Sequence, residues 1–178
     1  MKKNILMPVL AVLLCAALMV GANTALAGVR QAKTAEELNQ LMLTMLPGST
    51  GFTPEEYSGE DTSIRAVYKD PVGYVLHVVT AGYVGDISML VAVRNDGTVM
   101  GLTVRDMSET VGLGAQALTD YRFLCQFLNT SGEAEVGKTV DALTGATVTS
   151  KAVTRGVNAA VGFVTGADTS SGATSWGG

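Results

Sequence analysis

The stretch best equipped for chemistry is Asp141-Ala142-Leu143-Thr144-Gly145-Ala146-Thr147-Val148-Thr149-Ser150-Lys151. A small, glycine-containing turn runs straight into a segment of helical periodicity. The first N–H groups of that helix have no partner within it and face whatever lies beside Thr147. Unpaired amides and the helix dipole together make such a terminus an anion site. Gly145 and Ala146 let a bulky group approach the backbone, and Lys151, one turn on from Thr147, shares its face and can neutralise a phosphate. These residue types at this spacing point to a phosphate-bearing ligand. The competing reading is a plain N-cap role for Thr144 or Thr147.

Little else in the chain is reactive. Its 178 residues hold one His and two Cys, which argues against a His/Cys zinc site, an iron–sulfur cluster or haem bis-ligation. His77 falls in a β-branched run, alternating with Val75 and Val79, and reads as a packed or edge histidine, with no serine in a nucleophile-elbow context to serve. Cys125, in Tyr121-Arg122-Phe123-Leu124-Cys125-Gln126-Phe127-Leu128, reads as a small buried hydrophobe. Twelve Lys and Arg stand against 16 Asp and Glu, and the scattered cations form no basic patch for nucleic acid. A Gly-rich strand–turn–helix fingerprint for a nicotinamide dinucleotide is absent. Any redox or catalytic work therefore falls to something the protein binds.

The elements that position the Thr147 turn follow from periodicity. Thr34 to Glu37 reads as a capping box opening a helix with Leu38, Leu41, Met42 and Met45 on one stripe, stopped by Pro47-Gly48. Residues 48–62 read as a loop. Strands are expected at Ile64–Tyr68, Tyr74–Thr80, Ile87–Arg94 and Thr98–Val104, with Asn95-Asp96-Gly97 a hairpin signal. Helices are expected over Ala115–Leu128 and Thr147–Val164, the latter with Val153, Val157, Ala160 or Val161, and Val164 inward. The predicted fold is α+β: a twisted antiparallel sheet with helices flanking one face. One domain, residues 30–165, precedes a Gly/Ser/Thr tail, 166–178, expected to be disordered.

The mean hydropathy of +0.31 owes much to the N-terminus, residues 1–29. Lys2 and Lys3 precede an apolar run from Ile5 to Val20 that continues through small residues. It reads either as a cleavable signal, with Ala25-Leu26-Ala27 before Gly28, or as a membrane-spanning helix of roughly 20 residues. Both place the lysines on the cytoplasmic side and the rest outside. Cys15 follows Leu14 rather than a small residue, which argues against a lipoprotein. Without residues 1–29 the net charge moves from -4 to -6.

Asp141-Ala-Leu-Thr144-Gly145-Ala146-Thr147 resembles the flavinylation motif Asp-x-x-Ser/Thr-Gly-Ala-Thr of FMN-binding domains. Leu46-Pro47-Gly48, Val67-Tyr68-Lys69, Gly73-Tyr74-Val75, Gly82-Tyr83-x-Gly85-x-Ile87 and Ser108-Glu109-Thr110-x-Gly112-Leu113-Gly114 stand in the order and spacing of the G subunit of Rnf ion-translocating complexes. The C subunit of sodium-pumping NADH:quinone reductase shares the flavin motif. The resemblance implies FMN esterified through its phosphate to Thr147. Asp141, Thr144, Gly145 and Ala146 would then be recognised by a flavin transferase, and Val148 and Thr149 would make contacts at the helix start. Glu109, Thr110, Gly112, Leu113 and Gly114 would form a loop against the ring, with Gly82, Tyr83 and Gly85 in a neighbouring turn. Val111 departs from the family's usual Pro, which removes a fixed φ from that loop.

By the same resemblance the chain is an extracytoplasmic electron carrier in a ferredoxin:NAD complex with other membrane subunits as partners, held by an uncleaved N-terminal transmembrane helix. A free-standing exported flavoprotein and a cofactor-free exported binding module are the alternatives. Asp168-Thr169-Ser170-Ser171-Gly172-Ala173-Thr174 fits the same pattern. It reads either as a product of tail composition or as a second attachment site at Thr174.

Overall fold

The computed structural model describes Cys15, Met19, Gly21 and residues 33–107 and 120–167. The chain divides into two compact units, residues 1–41 and 42–178. In the first, Cys15, Met19 and Gly21 are helical, and helix α1 (residues 33–45) begins. Lys33 is already helical, so the start lies before the expected cap at Thr34, and Glu37 pairs with Lys33 at 3.8 Å instead of closing a capping box. Among the described residues no helix is long and apolar enough to cross a membrane. The N-terminal segment expected to do so lies almost wholly outside them.

The second unit is built on a five-stranded sheet in the order β1 to β5, every neighbouring pair antiparallel. The strands are β1 (Thr53–Glu55), β2 (Ile64–Asp70), β3 (Gly73–Ala81), β4 (Asp86–Arg94) and β5 (Val99–Met107). The four expected strands form, each longer than its β-branched run. β1 is the addition to the expected meander: three exposed residues, Pro54 among them, pair with Val67 to Lys69 where the sequence reads as a loop. An exposed edge strand carries no apolar alternation, and Pro is tolerated there. At the β4–β5 hairpin, Gly97 takes φ +85 and its N–H donates to Arg94 O at 2.9 Å.

Period-two alternation gives the sheet two distinct faces. Val67, Leu76 and Val91 are register partners on one, and with Val78, Ile87, Met89 and Val93 they join the main core. Against them packs the helix Thr147–Thr165, here α3, which buries Val153, Val157, Ala160 and Val161 as its spacing predicts. Gly156 makes the closest approach: a Cβ there would lie 2.9 Å from Met89 Sδ.

The opposite face carries Tyr68, Val75, Ala92 and Gly101, also register partners. It is covered by the last turn of α1, since a Cβ on Gly101 would sit 2.8 Å from Met45 O. Met42, Met45, Leu46, Val75, Leu90 and Ala92 are all buried. Helical turns therefore lie on both faces rather than on one. The apolar stripe of α1 had no visible partner in the sequence, and the glycine that admits it is 56 residues away.

The expected helix over Ala115–Leu128 shrinks in its described part to α2 (Tyr121–Leu124) and a 3-10 turn, Cys125–Phe127. Asp120 caps it through a carboxylate that accepts from Arg122 N at 2.9 Å. Phe123 and Phe127 face inward, edge to face at 5.4 Å, while Tyr121 is 81% exposed. Cys125 is exposed, contrary to its expected burial, because the inward stripe is set by the two phenylalanines. His77 is half-buried, its Nε2 2.8 Å from Ser88 Oγ on β4. Burial, then the Arg105 and Arg65 charges, push its pKa below the ordinary value.

Candidate functional site

Thr147 opens α3. The residue before it, Ala146, sits at φ -128, ψ 36 and offers no side-chain cap. The first helical bond in this turn is Ser150 N to Ala146 O at 2.9 Å, so the N–H groups of Thr147, Val148 and Thr149 are left to an external acceptor. The competing N-cap reading of Thr144 and Thr147 fails on this geometry. Thr147 is exposed and Val148 is 41% exposed, whereas Thr149 is turned inward and buried. Lys151 is half-buried one turn further on.

The turn before the helix is a tight one. Ala146 N donates to Leu143 O at 2.9 Å, and Gly145 between them holds φ +80. That left-handed value at the third position is a type II requirement, which glycine meets without strain. Asp141, Thr144 and Gly145 are exposed and Ala146 is buried.

Three side chains that sequence reasoning did not select hold this turn in place. Ser150, fully buried, accepts from Leu143 N at 3.2 Å and donates to Ala146 O at 2.9 Å. Gln126 exchanges two hydrogen bonds with the Asp141 backbone, accepting from its N–H at 2.8 Å and donating to its carbonyl at 3.3 Å. Asn158, 1% exposed in the third turn of α3, does the same for Ala134, at 2.9 and 2.8 Å. An asparagine between Val157 and Ala160, on a buried stripe, was the one signal available from sequence, since a buried amide demands partners.

The helix in turn is tied to the sheet. Thr80 Oγ1 donates to Ala152 O at 3.0 Å, and Arg155 Nη2 to Ala81 O at 2.8 Å. Just beyond Ala81 lies the β3–β4 turn, closed by Gly82 N donating to Gly85 O at 2.8 Å, with Tyr83 75% and Val84 56% exposed at its tip. Glu109, Thr110, Gly112, Leu113 and Gly114 lie outside the described residues, as does Thr174.

An exposed Thr hydroxyl beside three unpartnered N–H groups, on a turn that needs glycine, fits a phosphorylated group attached to Thr147. Comparison with known proteins agrees. Residues 82–162, from the Gly82 turn through most of α3, match the FMN-binding domain family. The chain is 32% identical over 144 residues to the G subunit of the ion-translocating oxidoreductase complex of Methanosarcina acetivorans, 73% of this chain and 76% of that one. The chain belongs to the G-subunit family.

Two further members of the G-subunit family are similar. The G subunit of the proton-translocating ferredoxin:NAD(+) oxidoreductase complex of Clostridium ljungdahlii is 43% identical over 101 residues, 53% of this chain and 54% of that one. Its counterpart in the Na(+)-translocating complex of Acetobacterium woodii is 38% identical over 101 residues, 51% and 48%. The matches to these two span about half the length of each.

Proposed function

We propose that this chain is the FMN-carrying G subunit of an Rnf-type, ion-translocating ferredoxin:NAD oxidoreductase, with the FMN phosphate esterified to Thr147. The observation that carries the reading is the uncapped start of α3: an exposed hydroxyl and three N–H groups with no acceptor of their own, in a member of the G-subunit family. Bound there, the flavin supplies reversible electron uptake and release, which no side chain of the protein offers.

The protein's own contribution is position and charge. Thr147 Oγ presents the attachment atom, and the N–H groups of residues 147–149 donate to phosphate oxygens. Lys151 adds a positive charge on the same side. Gly145 keeps the backbone open where Asp141 and Thr144, both exposed, are accessible to a maturing flavin transferase. Covalent attachment suits a domain outside the cytoplasm, where a dissociated cofactor is lost. The apolar segment within residues 1–29 is read as an uncleaved single-pass anchor, with the other membrane subunits of the complex as partners.

Coexpression with a flavin transferase tests this directly. A fluorescent band surviving SDS electrophoresis, lost in Thr147→Ala at unchanged folding, is the expected result. A wild-type chain that gains no flavin mass under those conditions refutes the reading. N-terminal sequencing of the membrane-derived protein beginning at Gly28 would refute the anchor.

A further inference from the structure

We propose that Thr174 is a second FMN attachment point and that a cleft along the C-terminal half of α3 receives the flavin it carries. The proposal rests on the reading of Thr147 as a phosphoester site. It starts from two independent observations, a repeated pattern in the sequence and a cleft that the Thr147 turn does not use.

The seven residues Asp141 to Thr147 recur in type as Asp168 to Thr174. Asp, Gly, Ala and the final Thr are identical in position, and Ser171 replaces the hydroxyl of Thr144. A transferase that reads exposed side chains in such a stretch meets the same set twice.

The cleft has a volume of about 940 Å³, ample for a flavin, and is bounded by residues 57–65, the ends of β3 and β4, and α3 from Arg155 onward. None of the Thr147 turn lines it, but Ala167 does, the residue immediately before the repeat. Thr174 lies seven residues beyond Ala167, a tether of at most roughly 25 Å, so a flavin esterified there reaches the cleft.

The lining suits a flat heterocycle with a polar edge. Phe163 is fixed between Tyr57 and Tyr74, edge to face at 5.7 Å from each, and presents with Tyr57 an aromatic wall. Arg65 and Arg155 supply donors, and Arg155 is already oriented by its bond to Ala81 O. Glu60, Asp61 and Asp86 supply acceptors. These three carboxylates disfavour a small free anion such as inorganic phosphate, whereas the isoalloxazine ring is neutral and uses both kinds of partner.

Attachment involves no change of oxidation state. The Thr174 hydroxyl oxygen forms a bond to the flavin-side phosphorus of a flavin dinucleotide, the pyrophosphate bond breaks, AMP leaves, and the hydroxyl proton is released to water. The dinucleotide and the transferase are those that serve Thr147.

Intact mass and peptide mapping of the full chain coexpressed with the transferase decide the attachment. The wild type should carry two FMN increments, Thr147→Ala one on the peptide containing Thr174, and Thr174→Ala one on the peptide containing Thr147. A single wild-type increment that disappears in Thr147→Ala overturns the second site and leaves the first standing. No increment in any form overturns both readings together.

The berth is read in the Thr147→Ala protein from flavin fluorescence. Stacking in the cleft should give dim, highly anisotropic emission. Arg65→Ala, at an exposed position, and Tyr57→Leu should raise the intensity severalfold and lower the anisotropy. Emission unchanged by both substitutions would overturn the cleft as its site.

Discussion

Replacing Ser150 by Ala tests whether the attachment turn is held by the helix it precedes. Ser150 Oγ accepts from Leu143 N and donates to Ala146 O in a fully buried position. Its loss leaves the Leu143 N–H without an acceptor, at a cost of about 1–2 kcal/mol. Ala146 O keeps the Ser150 backbone N–H and loses little. Alanine is the better helix former by about 0.5 kcal/mol, which offsets part of the cost.

The net expectation is a destabilisation of about 1 kcal/mol, or a melting temperature lower by about 3–6 °C. Without that bond the turn samples conformations in which Thr147 is misplaced, so the rate of flavin incorporation should fall more than stability does. Denaturant melts of the unflavinylated protein give the first quantity, and flavin mass gained over a time course with purified transferase gives the second. If Ser150→Ala melts with the wild type and is flavinylated at the same rate, the turn is not held by Ser150 and the argument fails.

Two further outcomes follow from the same geometry. Asn158→Ala removes both partners of the Ala134 backbone in a buried setting and should cost about 2–4 kcal/mol in urea melts, while Asn158→Asp should restore part of it by accepting from Ala134 N. Burial opposes ionisation of Asp70, but N–H bonds from Val72, Thr50 and Gly51 outweigh it and hold the pKa below 3.8. A carboxyl with a depressed folded pKa stabilises fully above its unfolded value, and that contribution is lost as pH falls through the folded one. The stability gap between wild type and Asp70→Ala should therefore be constant from neutral pH to about pH 5 and narrow below about pH 4; a gap that widens on acidification would refute the assignment.

The sheet was legible because its signals are local. Period-two runs, Asn95-Asp96-Gly97 and the Val153, Val157, Val161 stripe each specify structure within a few residues, and each forms as expected. Gly145 likewise announces the turn. What escaped depends on distant partners. β1 exists only because Val67 to Lys69 offer a free edge, and the α1 stripe finds its face only through Gly101. At the site, Asn158 bonds a residue 24 positions away and Gln126 one 15 positions away; neither amide differs in sequence from a solvated one. Cys125 was misplaced because a 3-10 turn shifts the inward register toward Phe127.

The three clamps around the attachment turn fix how a group on Thr147 could move. Ser150 and Asn158 belong to α3 itself, and α3 is tied to β3 by Thr80 and Arg155. No hinge separates the attachment hydroxyl from the sheet. A cofactor mounted there travels as ballast on a rigid body: its approach to any neighbouring redox centre is set by where the domain docks, not by local swinging. A second group on the tail would be the opposite kind of part, a bucket on a line.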